Sequence, residues 1–110
     1  MKNIEDIRDF LNLLTPQLSL IKHIEKIILF GSYAKGVATI KSDVDIAIIN
    51  SFDGTSMKLK HAVTRALDSV YDGDLEISFT FVHLENYLND NHALHVSSSI
   101  KKEGIILWQR

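Results

Sequence analysis

The chain has 110 residues, 45% of them hydrophobic and 24% charged, with a formal net charge of −2. That is enough for one modest core and short for two, and the balance gives no basic field to attract polyanions, so non-specific nucleic-acid binding is disfavoured. The absence of cysteine excludes disulfides, thiolate nucleophiles and Cys-ligated zinc; with no signal-like or membrane-length apolar run, the expectation is one cytoplasmic domain, residues 1–110, without a membrane partner.

Ile4, Ile7, Leu11 and Leu14 recur at the three-and-four spacing of an amphipathic helix. Thr15-Pro16 is expected to end it, because proline lacks the donor and disfavours helix at the residue before it; a short helical turn follows, to about Lys22. Ile27 to Phe30 reads as a buried strand running into Gly31-Ser32. The apolar run Ile46 to Ile49 reads as a second strand, directly behind Asp43 and Asp45. Asn50 to Ser56 is a loop with Ser56 as helix N-cap, and Leu59, Val63, Ala66, Leu67 and Val70 give the next helix its apolar face, as far as Tyr71.

Asp72-Gly73 marks a turn. From Asp74 to Val82 the chain alternates, with Leu75, Ile77, Phe79 and Phe81 on one side and Asp74, Glu76, Ser78 and Thr80 on the other, which predicts a strand with one polar face. Helices are expected over Leu84 to Asp90 and His92 to Glu103, then Gly104 as a stop and a last strand, Ile105 to Trp108. The order predicts an α+β or α/β domain with a small mixed sheet and helices mainly on one face.

The chemistry concentrates between Phe30 and Ile49. Ser32 stands where a strand ends and a helical segment begins, so its hydroxyl and nearby backbone N–H groups suit phosphate oxygens, although an isolated Gly-Ser is a common turn. Asp43 and Asp45, two apart on a strand, point to one face about 6–7 Å apart along the chain. Carboxylates beside a continuous apolar run need something to offset their desolvation. A Mg²⁺ ion taking one or two carboxylates plus substrate phosphates is one such partner, and a hydrated strand end is the bland alternative. A third acid would complete a two-metal phosphoryl-transfer site; Glu76 is the candidate mid-way along its polar face, with Asp74 nearer the turn as the other choice.

Gly31-Ser32, ten residues, then Asp43-x-Asp45 resembles the signature of the DNA polymerase beta-like nucleotidyltransferase superfamily, and the chain is similar in particular to its minimal nucleotidyltransferase (MNT) members. The likeness extends to the preceding helix, the LFGS strand and the terminal IKKEGIILW segment. It implies nucleotide phosphates held by Gly31 and Ser32, and two Mg²⁺ ions on Asp43 and Asp45 with Glu76 assisting. Lys35, at a position often basic in the family, would neutralise phosphate charge, although a solvated loop lysine accounts for it equally. Two departures stand out: Tyr33 where many members have Arg, and Glu76 where Asp is frequent.

The resemblance further implies transfer of a nucleoside monophosphate, AMP from ATP, to an acceptor hydroxyl. The chain has no room for an acceptor domain, so a second subunit or a partner must supply that site. For MNT proteins the partner is a helical HEPN toxin, modified by its antitoxin on a tyrosine. The alternatives are a non-catalytic module that masks the toxin, and a subunit modifying a small molecule of the aminoglycoside type. His83, His92 and His95 are expected to be surface histidines, His23 a boundary residue, and Trp108 an anchor at the edge of the core.

Overall fold

The computed structural model describes residues 1–54, 56–71, 73, 75–89 and 100–110. The expectations placed on Asp72, Asp74, His92 and His95, and on the Ser56 side chain, lie outside the described residues. A 3-10 turn (Ile4–Ile7) leads into α1 (Arg8–Ser19), followed by β1 (Ile24–Phe30), α2 (Gly31–Lys35), β2 (Val44–Asn50), α3 (Ser56–Asp68), β3 (Ile77–His83), α4 (Leu84–Leu88) and β4 (Ile105–Gln109). Residues 100–103 form a further helical turn ahead of β4.

The four strands make one mixed sheet in the order β3-β2-β1-β4. β1 is antiparallel to β2 and β4, while β2 and β3 run parallel. Strand alternation separates the residues onto two faces. Ile27, Leu29, Val44, Ile46 and Ile48 turn to the side covered by α1 and α3, where Leu11, Leu14, Leu18, Leu59 and Val63 complete the main core. Ile28, Ala47, Ile49 and Val82 turn the other way, beneath Tyr87 of α4 and Ile100. The two long helices thus share one face, as expected, and among the described residues only short helical pieces cover part of the other.

Several boundaries differ from the sequence reading; α3 ends at Asp68 rather than Tyr71 and β2 spans Val44–Asn50, and three further shifts follow from packing and pairing. α1 does not stop at Pro16 but carries it inside and runs to Ser19. The stripe Leu11, Leu14, Leu18 explains this: continuing the helix buries Leu18 fully, a gain of about 1.5–3 kcal/mol set against the donor that proline cannot supply. β1 begins at Ile24, earlier than the apolar run, because Ile24 and Lys26 already pair with Asn50 and Ile49 of β2, and Lys26 with Gln109 of β4, despite the charged residues there. β3 begins at Ile77 rather than near residue 74, since β2, its partner, begins at Val44; the Val44 N–H donates to the Glu76 carbonyl at 2.8 Å where the two strands first meet.

Candidate active site

β1 delivers its last residue, Phe30, opposite Asp45 of β2. The chain then turns through Gly31, whose φ of 75° lies in the left-handed region that disfavours other residues, and enters the short helix α2. A Cβ built at position 31 would lie 3.1 Å from the Asp45 Cγ and 3.3 Å from its Cβ, and closer still to Oδ2. Glycine therefore lets the backbone of the Gly-Ser turn press directly on the Asp45 carboxylate. Ser32 follows, half-buried. Gly36, at φ 76°, closes α2 with its N–H on the Ser32 and Tyr33 carbonyls.

The loop to Asp43 is pinned rather than free. Lys2 and Ala38 exchange backbone hydrogen bonds of 2.7 and 3.0 Å. The Thr39 N–H donates to the Ser42 Oγ at 2.9 Å and the Ser42 N–H returns to the Thr39 carbonyl at 3.0 Å. Asp43 emerges from this turn exposed, one residue before β2, and Asp45 follows half-buried in the strand. Burial, and after it the negative charge of Asp43, pushes the Asp45 carboxyl above its usual value. The pair is thus close enough to repel, and a cation between them would relieve that repulsion.

Asp45 pairs with Ser78 across the parallel β2–β3 ladder. The ladder begins at Val44↔Ile77, so Asp43 and Glu76 are each the exposed residue just before its strand. Among the described residues no three Asp, Glu or His side chains converge closely enough to hold an ion together. Asp43 and Asp45 stand as a pair, and Glu76 lies just before the start of the neighbouring strand. Two carboxylates and no nitrogen or sulfur donor fit Mg²⁺, which keeps several waters and takes its remaining ligands from phosphate.

The other candidates separate. Lys35 closes the last turn of α2 with its ammonium 3.0 Å from the Glu103 carboxylate, both side chains partly exposed. Tyr33 is only 2% exposed and packs in the main core, so it does not face the ligand side. His83 caps α4, its Nδ1 accepting from the Glu85 N–H at 3.3 Å, with Asp53 3.8 Å from its Nε2. His23 edges against the Phe52 ring, and Trp108 packs at the border of the core with the Arg110 guanidinium 5.2 Å from its ring. The sequence offers Glu103 only as the end of a helix; an acid just before a Gly stop and a strand carries no local sign that it meets Lys35.

The family described as "Polymerase beta, Nucleotidyltransferase" matches residues 12–110. A protein of Methanocaldococcus jannaschii, provisionally named a protein adenylyltransferase, is 43% identical over 53 residues, 48% of this chain and 51% of that protein. The chain thus matches about half the length of this curated relative. In fold, it resembles a Sulfolobus solfataricus protein provisionally named a nucleotidyltransferase, with a TM-score of 0.62 at 19% identity over 97% of this chain and 86% of that one. It also resembles a structure of the tri-AMPylated Shewanella oneidensis HEPN toxin in complex with MNT antitoxin, with a TM-score of 0.57 at 19% identity over 94% of this chain and 72% of that one. Among the described residues no helix is long and apolar enough to cross a membrane.

Proposed function

Because the chain belongs to the polymerase beta nucleotidyltransferase family, we propose that it is a metal-dependent transferase moving AMP from ATP to a hydroxyl of a helical HEPN-type toxin, as the antitoxin of that pair. The observation that carries the reading is the contact geometry of Gly31 and Asp45, which joins a phosphate-type turn and an acid pair at one end of the sheet. Asp43 and Asp45 would hold Mg²⁺, with Glu76 supporting the side nearer the acceptor. Mg²⁺ held there would neutralise phosphate charge and favour the deprotonated acceptor. Ser32 and the Gly31 backbone fix the β and γ phosphates, with Lys35 adding positive charge.

In the transfer the acceptor oxygen bonds to the α-phosphorus and the bond to the bridging β-phosphate oxygen breaks. Pyrophosphate leaves with the electron pair, and Glu76 receives the acceptor's proton. The relative's name, protein adenylyltransferase, supports a protein acceptor. The shared fold with the Shewanella oneidensis antitoxin supports a HEPN partner, while the acceptor itself is set by surfaces beyond the acid pair.

The test is incubation of the purified chain with α-labelled ATP and Mg²⁺, with and without a HEPN partner, alongside Asp43→Ala. Label reaching the partner only with intact Asp43 is the expected result. Suppression of the partner by both forms with no label moved would replace this reading with masking by a binding module.

A further inference from the structure

We infer that Glu103 sets the strength of nucleotide binding by competing with the phosphates for Lys35. The inference rests on the nucleotide-binding reading above and adds a residue to it. Ser32 and Lys35 are three apart in α2, so they share one side of that helix. A phosphate bound at Ser32 comes within reach of the Lys35 ammonium, which in its absence lies 3.0 Å from the Glu103 carboxylate.

Glu103 is held where it can compete and cannot follow. Ile100, 1% exposed, anchors its helical turn on Ile28, Ala47 and Ile49, the sheet face that also carries Asp45. The Gly104 N–H donates to the Ile100 carbonyl at 2.9 Å, and a Cβ at position 104 would lie 2.5 Å from the Ile28 Cγ2. The backbone next to Glu103 is therefore pressed against the sheet, whereas Lys35 swings on a flexible four-carbon stem. The ion pair is 48% exposed on the lysine and 41% on the glutamate, so it is weak and screened by salt. A phosphate carries more charge than one carboxylate and displaces it readily. Each binding event must still break the pair, and that cost is Glu103's effect.

The experiment is calorimetric titration with a non-hydrolysable ATP analogue and Mg²⁺ at low salt, on wild type, Glu103→Gln, Glu103→Ala, Lys35→Met and the Lys35→Met/Glu103→Gln double variant, each checked by thermal melting. Both Glu103 variants are expected to tighten Kd by about twofold to fivefold. The gain should fade at about 0.5 M salt and vanish in the Lys35→Met background, as a shared interaction requires. Unchanged or weaker binding by folded Glu103 variants overturns the inference, as does an equal gain with and without Lys35. If wild type binds no nucleotide, the proposed function itself falls, a result distinct from either.

Discussion

The Asp45 carboxylate fills the space where a side chain at position 31 would begin, an added Cβ coming within 3.1 Å of the Asp45 Cγ. Gly31→Ala therefore suffers twice, from a left-handed φ of 75° and from this clash. It is expected to lose about 2–3 kcal/mol of stability, and transfer should fall about a hundredfold as Asp45 is displaced. Urea unfolding of Gly31→Ala, Asp45→Ala and the double variant checks the cause: the penalty at 31 should shrink once the carboxylate is gone. A fully additive pair of effects would show that the two residues do not meet.

Burial and the Asp43 charge hold the Asp45 carboxyl above its usual value, so the folded protein binds that proton more tightly than the unfolded chain does. This contribution to stability is complete below the unfolded pKa and is lost as pH rises through the raised, folded-state value. At neutral pH ionised Asp45 is thus a cost to the metal-free fold. Asp45→Asn should melt higher than wild type at pH 7 in EDTA, with the gap closing as pH falls toward about 3, and it should transfer no label. Added Mg²⁺ should raise the Tm of wild type and leave that of Asp45→Asn unmoved. Equal melting temperatures across the whole pH range would contradict the placement of Asp45.

Tyr33 stands where the resemblance leads one to look for arginine, yet it packs in the main core at 2% exposure. Restoring the family residue should not help. Tyr33→Arg is expected to lose about 3 kcal/mol or more by burying a charge among Leu and Ile, and Tyr33→Phe should stay within about 1 kcal/mol of wild type. Guanidinium chloride midpoints of the two variants decide it, and an arginine variant that keeps its stability and binds ATP more tightly would show that position 33 faces the ligand.

Pro16 sits inside α1 with its side chain exposed. Pro16→Ala restores the donor missing from the helical ladder and removes no buried contact, while giving back some unfolded-state entropy. A net gain of about 1–3 kcal/mol is expected, read as a higher urea midpoint. A lower midpoint would mean that the proline ring supports the cleft it lines with Ile105 and Leu107 of β4.

Much of this arrangement is local and so was legible in the sequence. The Phe30-Gly31-Ser32 turn, the parity of Asp43 and Asp45, and the alternation through Phe79 and Phe81 each follow from neighbours in the chain. The same alternation led to Glu76, though how near it comes to Asp43 depends on the pairing of β2 with β3, which no local pattern specifies. Pro16 misled because helix propensity weighs a residue without its tertiary gain, here the burial of Leu18. The Lys35–Glu103 pair joins residues far apart in the chain, and Tyr33 turns inward because α2 packs against β1 and β2. Neither outcome leaves a periodic trace.

Sheet polarity has a practical use. Phe30, Asp45, Ser78 and Ile105 all lie at one end of their strands, whereas Ile24, Asn50, His83 and Gln109 lie at the other. The loop after Asn50 belongs to that remote end, and the Asp53 side chain there is 98% exposed. With no native cysteine in the chain, Asp53→Cys would create a unique thiol for a fluorophore or surface tether, leaving the acid pair at the opposite end open to ligand.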